Sequence, residues 1–141
     1  MKTSARNQLA GTVAAVRPGA VNDEVELALA GGARIVAIIT HESTRSLGLA
    51  QGSAAFALVK ASSVMLATEL GGAKLSARNQ LGGIVSALHP GAVNAEVVLE
   101  LDGGGTIAAI VTQESVRALG LAPGQRAVAL FKASSVIVGV P

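Results

Sequence analysis

Six letters, Ser4-Ala5-Arg6-Asn7-Gln8-Leu9, recur unchanged as Ser76-Ala77-Arg78-Asn79-Gln80-Leu81. The doubling extends well beyond them. Residues from about Lys2 to Thr68 align without a gap onto Lys74 to Val140. A chain of 141 residues has room for one ordinary domain or two very small ones. The repeat decides for two: domain one at 1–68, a Gly-rich linker at 69–73 and domain two at 74–141. Most aligned positions are identical, so the positions that differ carry the information. Arg17 aligns with His89, His41 with Gln113, Glu26 with Val98 and Arg34 with Thr106. Side chains exchanged this freely are demoted as shared ligands.

Each repeat reads as a series of short elements. Gln8 to Arg17 forms a first strand that ends at the turn dipeptide Pro18-Gly19. Glu24 to Leu29 alternates with period two, as a half-buried strand does. Gly31-Gly32 makes a hairpin turn, and Ile35 to Thr40 is apolar on both faces. Glu42 to Leu47 is a short helical turn closed by Gly48. Ala54 to Val59 gives a fourth strand and Ser62 to Ala67 a fifth. The expected fold class is therefore all-β: two tandem OB-like five-stranded barrels, each with one helical turn between strands three and four. A barrel of this size buries only about 60% of its unfolded surface and is marginal alone. Strands apolar on both faces must also meet something outside their own barrel. Packing between repeats and between chains, as an obligate oligomer, is expected.

Composition narrows the function. Hydrophobic residues make up 50% of the chain, yet the only aromatics are Phe56 and Phe131. Binders of single-stranded nucleic acid stack bases on aromatic side chains in a basic groove. A formal charge of +2 and two phenylalanines in apolar strands do not build one. The absence of Cys excludes disulfides and thiolate chemistry. No apolar leader segment follows Met1. The longest uncharged runs are broken by Gly and fall short of the roughly 20 residues that a membrane helix needs. The cytoplasm is the expected compartment.

The polar residues matched in both copies are rich in donors. Ser4 and Arg6 lie two apart and share a strand face, as do Lys60 and Ser62. Thr40 and Ser43 bracket the start of the helical turn, where backbone N–H groups favour an anion. Convergence of the three groups would enclose a small ion in hydroxyls, amides and cations. Every oxygen of a fully deprotonated tetrahedral anion accepts hydrogen bonds, whereas phosphate near neutral pH keeps a proton that needs an acceptor. The three groups contain no carboxylate, which points toward sulfate, molybdate or tungstate. Structural roles compete at each position. Ser4 and Arg6 also suit an exposed strand edge, Thr40 a plain N-cap, Lys60 a solvated strand end, and Asn22 a turn. His41 and His89 lack counterparts in the other copy, so no directly coordinated metal is expected. No matched Ser–His relay or pair of acids stands out, and an enzyme is not expected.

The ordered set Ser-Ala-Arg-Asn-Gln-Leu, Pro-Gly-Ala-Val-Asn, Glu-Val, Thr-x-Glu-Ser, Leu-Gly-Leu and Lys-Ala-Ser-Ser-Val resembles the molybdate-binding Mop family, in its tandem, di-Mop form. The resemblance covers nearly the whole chain, twice. It implies a homotrimer that binds molybdate or tungstate between subunits for storage, buffering or homeostasis, with no organic cofactor. Ser4 and Arg6 would reach the anion from one unit. Thr40, Ser43, Lys60, Ala61 and Ser62 would reach it from a neighbour, Ala61 through its backbone. Ser76, Arg78, Thr112, Ser115, Lys132, Ala133 and Ser134 match in the second copy. A second class of site near the symmetry axis would fall on Ala20, Val21 and Asn22 and on Ala92, Val93 and Asn94. The family also supplies the sensor half of molybdate-responsive regulators and the tail of transporter ATPases. Neither a helix-turn-helix nor a Walker motif occurs in this sequence, so neither activity is expected of it alone. A protein-interaction or nucleic-acid-binding OB module without an oxyanion is the alternative.

Overall fold

The computed structural model describes all residues from Met1 to Pro141. In the first repeat, β1 (Asn7–Arg17), β2 (Asn22–Leu29), β3 (Arg34–Thr40), α1 (His41–Ser46), β4 (Ala54–Val59) and β5 (Met65–Ala67) follow in order. The second repeat supplies β6 (Asn79–Pro90), β7 (Asn94–Leu101), β8 (Thr106–Thr112), α2 (Gln113–Leu119), β9 (Arg126–Phe131) and β10 (Ile137–Gly139). The two five-stranded antiparallel barrels expected from the sequence are present, each with its helical turn after the third strand. Two points differ: the fifth strand is shorter than expected, and it joins the sheet of the other repeat. The segment expected as a continuous fifth strand, 62–67, begins as a 3-10 turn at Ala61–Ser63, and only Met65–Ala67 is strand. The turn recurs at Ala133–Ser135.

Local patterning explains the strands. Along β2, Asp23, Val25 and Leu27 are buried while Asn22, Glu24 and Glu26 face outward. β1 is long because it serves two partners. Its first half pairs with β4 and its second half with β2. A bulge between Val13 and Ala15 bends it from one partner to the other, and β6 repeats the bulge between Val85 and Ala87. At the crossing point the backbones come so close that a Cβ on Gly11 would strike the carbonyl of Ala28.

The two halves are not independent barrels. The sheets run β10-β4-β1-β2-β3 and β5-β9-β6-β7-β8, so each takes its short fifth strand from the other repeat. Ile137, Val138 and Gly139 pair with Leu58, Ala57 and Phe56. Met65, Leu66 and Ala67 pair with Leu130, Ala129 and Val128. One apolar cluster accordingly runs through both halves and includes Val13, Leu27, Ile35, Leu99, Ile107 and Phe131.

The seam of each barrel is closed by the other repeat. β3 is the last strand of its sheet, so Val36 presents a backbone N–H and C=O with no strand beside them. Asn79 fills the place. Its Oδ1 accepts from Val36 N (2.8 Å) and its Nδ2 donates to Val36 O (2.8 Å). Asn7 does the same for Ala108 on β8, at 2.7 and 2.8 Å. Both side chains are buried. An amide matches a peptide group donor for acceptor, so each Asn acts as a one-residue strand.

Two outcomes test this architecture. Removing residues 137–141 is expected to expose β4 amides (54–59) to hydrogen exchange while β9 (126–131) stays protected; loss on β9 instead would contradict the exchange. Asn7→Ala leaves two buried backbone groups unpaired and is expected to cost about 2–4 kcal/mol in urea unfolding. A change within error would show that the seam is not held by this side chain.

Candidate functional site

The segment before β6 and the segment after β9 meet because of strand register. Asn79 opposes Phe131, so Ser76–Arg78 runs alongside Lys132–Ser134. Between them lies a cavity of about 300 Å³, lined by Ser76, Ala77, Arg78, Lys132, Ala133 and Ser134 with Ile38 and Met65 from the first repeat. Hydroxyls, a guanidinium and an ammonium thus gather over an apolar floor, and no carboxylate lines the space. Of the expected ligands in the second copy, the structure joins Ser76, Arg78, Lys132, Ala133 and Ser134. The first copy is partly equivalent. A cavity of about 270 Å³ there is lined by Thr3, Ser4, Ala5, Leu58, Lys60 and Ser63, with Ser135 and Ile137 from the second repeat. Ser4 and Lys60 meet in it, while Arg6, Ala61 and Ser62 lie outside its lining.

Thr40, Ser43, Thr112 and Ser115 do not line either cavity. They cap the helical turns. Ser43 N donates to Thr40 Oγ1 (3.1 Å), and the two hydroxyl oxygens share a hydrogen bond at 2.8 Å. Thr112 and Ser115 repeat the arrangement at 3.1 and 2.9 Å. Thr40 lies two residues beyond the cavity-lining Ile38 on the same strand, hence on the same face. The hydroxyl pair of one repeat therefore sits one step along β3 from the cavity of the other.

The Pro-Gly-Ala-Val-Asn loops stand next to these hydroxyls. Asn22 opposes Thr40 and Asn94 opposes Thr112 in the strand registers. His41 N donates to Val21 O (2.8 Å) and Gln113 N to Val93 O (2.8 Å). The loop residues Ala20, Val21, Ala92 and Val93 are exposed, and Val21 keeps 73% of its surface. Within one chain they face solvent and enclose nothing.

The guanidiniums are held from across the repeat junction. Arg78 Nη1 donates to Glu24 Oε1 (2.6 Å), and Arg6 forms an ion pair with Glu96. The hydrogen bond from Arg78, and its charge, hold the Glu24 carboxyl below the usual carboxylate range; Glu24 in turn raises Arg78. Sequence reading did not assign these glutamates to the site. A signal existed, since Glu24 and Glu96 match in both copies.

Beneath the first helical turn lies a network that the second repeat lacks. Asp23, a buried residue, accepts from Gly19 N (3.0 Å) and His41 Nδ1 (3.0 Å). Burial pushes its carboxyl up, but Gly19, the Thr44 hydroxyl and His41 together bring it below its ordinary range. The aligned residues are Ala95, Gln113 and Val116, and Gln113 Nε2 instead donates to Gly91 O (2.9 Å). No group of three or more His, Cys, Asp or Glu side chains suited to a metal ion occurs.

A family model described as the TOBE domain matches residues 3–66 and again 75–138. The molybdenum-pterin-binding protein MopA of Rhodobacter capsulatus is 52% identical over 141 residues, covering 100% of this chain and 53% of MopA. The molybdenum transport protein ModE of Azotobacter vinelandii is 54% identical over 140 residues, covering 99% of this chain and 52% of ModE. The chain thus spans about half the length of the curated relatives it matches. Among solved structures, the cytoplasmic molybdate-binding protein ModG with molybdate bound is 54% identical, with all of both chains covered and a TM-score of 0.98.

The depressed Asp23 carboxyl has a consequence for stability. Its ionised form favours the fold, fully so above its ordinary value of about 3.9, and this contribution is lost as pH falls through the lower folded value. Asp23→Asn is expected to be less stable than the parent near neutral pH, with the gap narrowing below about pH 4. A gap independent of pH in urea titrations would remove Asp23 from this role.

Proposed function

This chain belongs to the TOBE domain family, with the domain in tandem, and on that premise we propose that it binds molybdate between subunits and serves in molybdenum storage or buffering. One observation carries the reading. Ser76, Arg78, Lys132 and Ser134 converge on a single cavity whose lining holds donors and no carboxylate. A fully deprotonated oxyanion fits such a lining, since all its oxygens accept. Tungstate has the same shape and charge and is expected to bind as well. The solved relative with molybdate bound shares this fold over its whole length and supports the same ligand.

Burying a dianion costs several kcal/mol unless its charge and all its oxygens are matched. A single chain offers the cavity and the Thr40–Ser43 hydroxyls as separate, open groups. A neighbouring subunit that brings Thr40, Ser43, Thr112 or Ser115 over a cavity would complete the shell. The same docking would cover apolar residues such as Val21, Val93, Met65 and Ile137, each more than half exposed. We take the assembly to be a homotrimer in the cytoplasm, with Ala20–Asn22 and Ala92–Asn94 near its axis as a second class of site. The repeats themselves are assigned to 1–68 and 74–141, around the linker at 69–73. The lining brings no His or carboxylate to its serines and lysine as an activating base, and we read the role as binding and not catalysis.

Calorimetric titration of the purified protein with molybdate, tungstate, sulfate and phosphate tests the assignment, with light scattering for the assembly. At free molybdate one hundred times the dissociation constant, each site is expected to add about 2.7 kcal/mol to stability and raise the melting temperature. Arg6→Ala combined with Arg78→Ala is expected to abolish most binding at the interface sites. Unchanged affinity and stoichiometry in that variant would refute the residue assignment.

A further inference from the structure

The two guanidiniums proposed to meet the anion stand in unequal electrostatic surroundings. Glu24 is shared: Oε1 accepts from Arg78 Nη1 and Oε2 from Arg17 Nη1 at 2.9 Å. Arg17 Nη1 also lies 3.4 Å from Glu26 Oε2, and Glu26 Oε1 accepts from Arg34 Nη1 at 2.8 Å. Three guanidiniums and two carboxylates thus alternate along one outward face of the first repeat. In the second repeat the places of Arg17, Glu26 and Arg34 are taken by His89, Val98 and Thr106. Of that network only the ion pair Arg6–Glu96 has a counterpart there, with His89 opposite Glu96 in the strand register. The first network carries a net positive charge; the second is neutral when His89 is neutral.

We propose that Glu24 and Glu96 are positioning residues for Arg78 and Arg6, and that the charge ladder around Glu24 makes the Arg78 cavity the tighter of the two oxyanion sites. This rests on the molybdate reading above. Each glutamate engages Nη1 of its arginine from the opposite repeat. The remaining edge of the guanidinium fork is thereby fixed and left free for two oxygens of a tetrahedral anion. The carboxylate that aims the fork also repels the anion. At Glu24 that repulsion is offset by Arg17, which stays paired whatever Arg78 binds. At Glu96 the corresponding place holds His89, and no second guanidinium offsets it. The copies therefore share their ligand residues and differ in the field around them. Positions that sequence comparison set aside as interchangeable, 17, 26 and 34, become the ones that grade affinity.

Molybdate titration of the intact protein by calorimetry at low ionic strength tests this. The parent is expected to show two classes of interface site that differ roughly three- to tenfold in dissociation constant, the gap closing as salt is added. Arg78→Ala is expected to delete the tighter class. Arg17→His is expected to weaken that class by a similar factor, Arg17→Lys to preserve it, and His89→Arg to tighten the other class. Arg17 and His89 are not proposed ligands, and the ligand-free melting temperatures of their variants are expected to match the parent. If Arg17→His leaves both constants unchanged, or Arg17→Lys is as weak as Arg17→His, the charge ladder plays no part while the molybdate reading stands. If the parent gives no heat with molybdate at any salt concentration, the reading itself falls, and this proposal with it.

Discussion

A buried side-chain amide lying beside an unpaired strand is the contact on which this architecture turns. A sheet edge that enters a protein interior must have its peptide groups satisfied. Here the edge strands β3 and β8 are completed at Val36 and Ala108 by Asn79 and Asn7 from the opposite repeat. The short strands β5 and β10 cross over at the other end of each sheet. Neither barrel can close without the other, and the apolar cluster is continuous because of it. A single repeat would expose both its seam and its missing strand, which accords with how little surface a barrel of this size buries alone.

The same tie positions the chemistry. Arg6 and Arg78 immediately precede the two asparagines in the chain. Once Asn79 is docked on β3, Arg78 is delivered to Glu24 on β2, and Ser76 is placed against the turn at Lys132–Ser134. Structural roles and the proposed binding roles are therefore interleaved residue by residue within Ser-Ala-Arg-Asn. This accounts for a six-residue identity in a repeat that has drifted around it. It also ties the geometry of the binding groups to the integrity of the fold, since a shift of the seam moves the guanidinium.

The divergence between the repeats has a pattern. Apart from Thr3, which aligns with Leu75, the donors that line the cavities are kept, whereas the residues behind them change. Asp23, His41 and Thr44 become Ala95, Gln113 and Val116 under the helical turn, and the Arg17–Glu26–Arg34 ladder becomes His89, Val98 and Thr106. In both places a charged network in the first repeat is exchanged for neutral or apolar packing in the second. Duplication has left two copies of one proposed ligand set in two different electrostatic surroundings.

Read as a linear string, the chain shows its two repeats, alternating strands such as Glu24–Leu29, the turn at Pro18-Gly19 and the donor character of the shared polar residues. These are consequences of local periodicity, turn chemistry and side-chain type, which a linear reading captures. It could not determine which barrel each fifth strand joins. Leu58 and Leu130 occupy the same place in their repeats, so Met65 meets an equivalent partner in either barrel, and local pairing energies do not distinguish the choices. The 3-10 turn at Ala61–Ser63 was hidden for a related reason: its place is fixed by packing against the other repeat's edge strand. Glu24 and Glu96 were visible as matched acids, but their pairing with Arg78 and Arg6 spans the repeat junction. These points were settled only by the folded chain, because each depends on contacts between segments far apart in sequence, where closely similar repeats offer equivalent local partners.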